Sequence, residues 1–334
     1  MRVRDYDLDE PFVCRISELE WSQLCEEFDL DGPKSESNRY VHILIFLSSD
    51  VLYLLKNTLL STFYRLPRFS YNSAISTLKI YTIPSCLHEI IINFLHKHFT
   101  LLFDRVLSNY LLKRIDIFTN LTIRTGFEAE YEGSTKIPDL GIFVRNNNTQ
   151  KMELKWALEV GFSEKYNDLQ KNIGRWLIGQ PTCAMVVLIK ITESPKYRRP
   201  PYTELNIPQN QSEILEEDFS LRGEYGPVEF KGYQWVGQIS EVFLEIWTRH
   251  PETGEPRRRI GRQTSIIPPT DLSPQFELAE FLDIDGSQMI SFDWDELRGK
   301  LKDYLRSEAH LRCCMWLRES KKRVGMDDKA DRPS

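Results

Sequence analysis

The chain contains no glycine between Gly32 and Gly126, no Cys-x-x-Cys pair, no glycine-rich phosphate loop and no serine in a Gly-x-Ser-x-Gly elbow. Each gap removes a class. Without glycine to make turns, the first third reads as helical. The six cysteines, at positions 14, 25, 86, 183, 313 and 314, lack the spacing of a thiolate metal site and fit a reduced, intracellular protein. His96 and His98 occupy alternate positions, which do not face one another on a helix, so they form no zinc pair. The missing elbow and phosphate loop leave no serine-hydrolase or nucleotide-cradle motif.

Long apolar runs are absent too. Residues 41–66 are the most apolar early stretch, but Ser48-Ser49-Asp50 and Lys56-Asn57 interrupt them well short of a membrane span, so they read as buried helix. The amino terminus carries Arg2, Arg4 and several acids and no apolar core, unlike a secretory signal. Nor is there an excess of positive charge. With a net charge of −6, any contact with a polyanion must come from local basic patches.

What is present is enough for a large core. The 334 residues are 41% hydrophobic, enough for one large core or two modest ones. Residues 86–112 carry apolar side chains at helical spacing, from Leu87, Ile90 and Ile91 to Val106 and Leu111, and read as one long helix. Residues 136–144 and 155–162 read as strands joined by the polar loop 145–150. Tyr166, Leu169, Ile173, Trp176 and Leu177 then form one stripe of a helix for which Ser163 is the expected N-cap, and residues 184–191 form a buried strand. Residues 241–249 and 256–267 read as a further hairpin around the turn 251–254, and a last helix runs from about 294 to 316.

The hairpin centred near Thr149 sets Asp139 opposite Glu159, Gly141 opposite Ala157 and Gly161 opposite Ile137. Opposed Cβ atoms lie about 4.5–5.5 Å apart, so two carboxylates there require a proton, a basic partner or a cation. A hard divalent ion such as Mg2+ suits this oxygen pair. The small residues beside it would leave room for a substrate.

Pro138-Asp139, followed by Glu159-Val160-Gly161-Phe162-Ser163 leading into a helix and a further apolar strand, resembles the PD-(D/E)XK nuclease superfamily. Leu158 to Ser163 with Trp176 is similar, more narrowly, to fungal restriction-endonuclease-like domains. The resemblance spans about residues 120–192 and implies an α/β (α+β) fold: an αβββαβ core with a mixed sheet, a helical N-terminal extension and a C-terminal hairpin plus helix. Glycine usage, periodicity and composition divide the chain into a helical region over 1–84, the core over 85–192, a proline-rich irregular connection over 193–225, strands and helix extending the core over 226–320, and a disordered tail over 321–334.

The resemblance further implies hydrolysis of phosphodiester bonds in nucleic acid, DNA ahead of RNA. Mg2+ or Mn2+ would be held by Asp139, Glu159 and the Val160 carbonyl. The lysine that the superfamily carries two residues after the glutamate is Gly161 here. Lys165, in the first turn of the next helix, and Lys190, closing the following strand, are the candidate replacements; Lys171 lies opposite the stripe. Alternation over residues 127–132 sets Glu128, Glu130 and Glu132 on one face, and Glu130 is the extra acid for a metal sphere. The basic candidates for nucleic acid are Lys196, Arg198 and Arg199, and Arg257, Arg258 and Arg259. The alternative is a degenerate member that binds nucleic acid or protein through the same cleft. A third reading makes residues 40–115 a helical partner surface. No membrane partner is expected, and the substrate class points to the nucleus.

Overall fold

A computed structural model of the chain describes residues 12–15, 68–81, 85–120, 126–201, 211–259, 263–271, 274–284 and 288–330, with residues 17, 19, 124, 207 and 208. The segment 41–66 expected to be buried helix lies outside the described residues.

Strands β1 (Phe12–Arg15), β2 (Arg68–Asn72) and β3 (Thr77–Tyr81) form a small antiparallel sheet in the order β1-β3-β2. Helix α1 (Cys86–Val106) and the short α2 (Asn109–Leu112) follow. Next come β4 (Ile115–Thr119), β5 (Leu140–Arg145) and β6 (Met152–Gly161), then helix α3 (Tyr166–Gly179) and strand β7 (Met185–Ser194). A second small sheet combines β8 (Ser220–Leu221), β9 (Val228–Phe230) and β10 (Tyr233–Val236). The long β11 (Gln238–Arg249), β12 (Pro256–Arg258) and β13 (Thr264–Ile267) rejoin the main sheet. The hairpin β14 (Gln275–Glu277) and β15 (Met289–Ser291) leads into helices α4 (Trp294–Asp303) and α5 (Leu305–Ala330).

The central sheet runs β12-β11-β7-β6-β5-β4, with β13 also on β11, and is mixed: β6 and β7 pair in parallel while their neighbours pair antiparallel. The crossover through α3 makes that parallel pair possible. Helices cover both faces, so β6 and β7 are nearly continuous hydrophobic runs rather than alternating ones. Leu140, Ile142, Trp156, Leu158, Val187 and Ile189 pack on the side of α1; Phe143, Leu154, Ala157, Val186 and Leu188 pack on the side of α3.

The expected register holds from the start of β5, one residue after Asp139. Gly141 pairs with Ala157 and Leu140 with Leu158. Beyond Ile142 a bulge shifts the pairing, so that Phe143 faces Leu154 and Lys155 is the extra residue.

Several local expectations give way to side-chain capping and tertiary contact. The described part of the N-terminal region is a sheet, because the β2–β3 turn obtains its left-handed residue from Ser76 (φ 47) instead of a glycine. The long helix breaks at Leu107, whose backbone is extended, and restarts at α2 under the Ser108 cap. Residues 129–131 form a 3-10 turn, not a strand, with Ala129 at φ 54 and Glu128 N–H donating to Gly179 O at 2.8 Å. The carboxyl-terminal helix continues to Ala330, through much of the tail expected to lack structure. Among the described residues no helix is long and apolar enough to cross a membrane.

Candidate functional site

Asp139 stands at the head of β5, where its N–H donates to Leu158 O at 3.1 Å and sets it beside Glu159 in the neighbouring strand. Both carboxylates are buried, at 5% and 4% exposure. Their partners come from different layers.

Glu159 lies under α3. Its Oε1 accepts from Trp176 Nε1 at 2.6 Å and its Oε2 from Asn172 Nδ2 at 3.3 Å. A third donor reaches it from before the Pro-Asp pair: Lys136 Nζ stands 2.9 Å from Glu159 Oε2 and is itself only 3% exposed. Burial pushes the Glu159 carboxyl up from its ordinary range and the Lys136 ammonium down from its own, and the attraction between the two opposes both shifts. Asp139 adds to the upward push on Glu159.

Asp139 turns to the strand edge and to α1. Its Oδ2 accepts the Val160 N–H at 2.7 Å and lies 3.4 Å from His88 Nε2. His88 sits in the first turn of α1, above the Ser85 cap, and its Nδ1 is 3.1 Å from Glu89 Oε1. Asn120 Nδ2 also donates to Glu89 Oε1, at 3.3 Å, which ties the end of β4 to the same corner.

The cluster is closed over by the β2–β3 hairpin. Tyr71 exchanges backbone hydrogen bonds with Thr135, and Ser73 bonds Ser134 through its N–H and its hydroxyl. Lys79 Nζ pairs with Glu164 Oε1 at 2.7 Å, and Arg175 Nη1 donates to Ser70 Oγ at 2.6 Å. These contacts fix the segment that delivers Lys136.

The candidate replacement lysines go elsewhere. Lys165 is the exposed cap residue of α3, in place of Ser163, and its carbonyl takes the N–H groups of Asp168 and Leu169. Lys190 pairs with Gly161 across the parallel ladder, and its Nζ donates to the carbonyls of Phe162 at 2.6 Å and Ile191 at 2.7 Å. Burial lowers its pKa to about 8. Glu130 is exposed on the 3-10 turn, bonded to the Tyr131 hydroxyl, and does not join the acids.

Nor do the glycines beside the pair leave open space among the described residues. A Cβ on Gly161 would collide with Leu169, and one on Gly141 would meet Phe143 Cε2 at 2.5 Å. The space expected to be open is packed with α3 and β5 side chains.

These residues do not fit a resident divalent ion. Three donors already satisfy Glu159, Asp139 draws its partners from the other layer, and among the described residues no three of His, Cys, Asp and Glu converge to hold a metal. The Val160 N–H, bound to Asp139, is the part of that residue engaged in the site.

Of the basic candidates, Lys196, Arg198 and Arg257 are exposed and Arg199 is half-buried. Arg258 and Arg259 serve the fold. Arg258 Nη1 pairs at 2.8 Å with the buried Glu245, which also accepts from Tyr166 and Trp247, and Arg259 Nη1 pairs with Glu280 at 2.7 Å.

Sequence reasoning missed Lys136 and His88. The signal for Lys136 was a lysine opening an apolar run three residues before Asp139, and for His88 its position in a capped first turn. Comparison with protein-family models and with curated proteins returns no match.

Proposed function

We propose that the chain is a catalytically silent, nuclease-fold module that binds nucleic acid, DNA ahead of RNA. The order helix, three strands, helix, strand, with the parallel pair flanking α3, supports a restriction-endonuclease-like core. Pro138-Asp139 just before β5 and Glu159-Val160-Gly161 at the end of β6 support the same reading. The observation that carries the silent reading is the buried ion pair of Lys136 with Glu159. A phosphodiester must reach the acids to be cut, and here three protein donors and a covering hairpin occupy the approach. Exposed Lys196, Arg198 and Arg257 supply cationic contacts outside that closed cluster.

The test is incubation of the purified protein with supercoiled plasmid, linear DNA and RNA, with Mg2+, Mn2+ or chelator, read for mobility shift and for cleavage. Retarded but intact nucleic acid is the expected result, and absence of binding to all three sinks the reading.

One observation favours a second reading, a phosphodiester hydrolase. A lysine does meet Glu159, from the segment before Asp139 instead of from the Glu159 strand. Cleavage abolished by Asp139→Ala, Glu159→Ala and Lys136→Ala would replace the silent module with that enzyme.

A further inference from the structure

We infer that Tyr110, Lys113, Arg114, Arg145 and Lys151, at the far end of β5 and β6 from the acid pair, form a site for single-stranded nucleic acid, with a base stacked on Tyr110 and phosphates on the cations. The inference rests on the nucleic-acid-binding reading and gives it a strand form and a surface apart from Lys196, Arg198 and Arg257.

Local charge sets this surface apart. In a chain of net charge −6, residues 108–114 and 145–151 carry Lys113, Arg114, Arg145 and Lys151 and no acid. The first segment is α2 with its cap and the approach to β4; the second is the end of β5 and the loop to β6. Tertiary contact joins them. Arg145 N–H donates to Arg114 O at 2.8 Å, and Arg114 Nε and Nη2 donate to Arg145 O at 3.1 and 2.7 Å. Lys151 lies across the loop, where its carbonyl accepts the Asn146 N–H at 2.9 Å.

Lys113, Arg145 and Lys151 are exposed, and among the described residues none of the four cations is ion-paired. The hydrogen-bond partners of the two arginines are carbonyls, which neutralise nothing. Glu153, just beyond the loop, is already taken by Asn146 Nδ2 at 2.6 Å and Lys155 Nζ at 2.7 Å. Asp116, exposed further along β4, leaves the local balance positive. Such a surface favours a polyanion.

Tyr110 selects the kind of polyanion. Its side chain is 61% exposed, yet it is held at two points: the hydroxyl donates to Asn147 Oδ1 at 3.1 Å, and the Arg114 guanidinium lies over the ring at 5.3 Å from its centroid. An exposed ring fixed in orientation is a platform that loses little freedom on binding. A base of a single strand has a free face to stack there, whereas in a duplex both faces are used by the neighbouring bases. The length of β5, about 20 Å, separates Arg145 from Asp139, so the closed acid cluster does not obstruct this surface.

The experiment is fluorescence anisotropy of the full chain with a short labelled oligothymidylate and with a duplex of matching length, over a range of salt and beside thermal melts. Tyr110→Ala should weaken oligothymidylate binding about 5- to 100-fold and leave duplex binding near wild type, while Tyr110→Trp keeps the single-strand affinity. Lys113→Ala and Lys151→Ala should each flatten the dependence of log K on log salt by about 0.7 on the single strand. These two exposed positions carry the test if Tyr110→Ala melts early.

Oligothymidylate binding that is unchanged in folded Tyr110→Ala, or in both lysine variants, overturns the inference. So does polyglutamate that displaces the oligonucleotide as well as unlabelled oligothymidylate does, which would mark a surface for an acidic protein. A wild type that binds duplex and not oligothymidylate sinks this inference alone. One that binds neither removes the nucleic-acid-binding reading with it.

Discussion

Leu169, one turn into α3, fills the space that a side chain at Gly161 in β6 would need. The space that a lysine at position 161 would need is thus filled by a buried leucine. Gly161→Lys accordingly destabilises the fold by about 1–3 kcal/mol through overpacking, and confers no cleavage. Urea unfolding is the check. Adding Leu169→Ala should recover part of the loss; an unchanged midpoint for Gly161→Lys alone would show that the leucine yields freely.

The Lys136–Glu159 pair makes a second prediction through its burial. Removing one partner strands the other, so Glu159→Ala should cost about 3–5 kcal/mol, with Trp176 Nε1 and Asn172 Nδ2 losing their acceptor as well. Lys136→Met together with Glu159→Leu replaces both charges by apolar groups of similar bulk and should cost less than Glu159→Ala alone. A double-mutant cycle reads the coupling. Additive losses would mean that the two groups do not depend on one another.

Which parts of this arrangement can be read from residues alone follows from the range of the forces involved. The hairpin register, with Gly141 on Ala157, and the apolar stripe Leu169, Ile173, Trp176 and Leu177 are set by local periodicity and turn length, so both were legible. Lys136 was not, because residues 136–139 leave the strand and its ammonium is aimed by a bridge to Arg124 and a hairpin some sixty residues away in sequence. The turn at Ala129 was hidden for the same reason: a hydrogen bond from Glu128 to Gly179 overrides the alternation of the three glutamates. The N-terminal sheet was hidden because Ser76 does what glycine was expected to do.

Lys190 gives a pH-dependent prediction. Burial lowers its pKa from the ordinary 10.5 to about 8. Its depressed value means that the unfolded chain binds the proton more tightly, so the stability linked to this group is full above pH 10.5 and is lost as pH falls to about 8. Lys190→Met removes that dependence. The stability of Lys190→Met minus that of wild type should therefore be greater at pH 7.5 than at pH 10, as measured by chemical denaturation. The carbonyls of Phe162 and Ile191 lose the same donor at both pH values, so a difference that stays flat would count against a buried charge at this position.

The basic residues divide into two sets, and nucleic-acid binding should divide with them. Arg198 and Arg257 are exposed, whereas Arg258 is held at 2.8 Å by the buried Glu245 and Arg259 at 2.7 Å by Glu280. Neutralising a phosphate contact lowers the dependence of log K on log salt by about 0.9 per contact. Arg198→Ala and Arg257→Ala should each weaken binding across sequences and flatten that dependence by about this amount while leaving the melting temperature near wild type. Arg258→Ala should do the reverse, costing about 1.5–3 kcal/mol of stability because Glu245 loses its charged donor while Tyr166 and Trp247 remain on it. Fluorescence anisotropy with labelled DNA at several salt concentrations, run beside thermal melts, separates the two effects. If Arg258→Ala flattens the salt dependence as much as Arg257→Ala does, its guanidinium leaves Glu245 to meet the nucleic acid and the division fails.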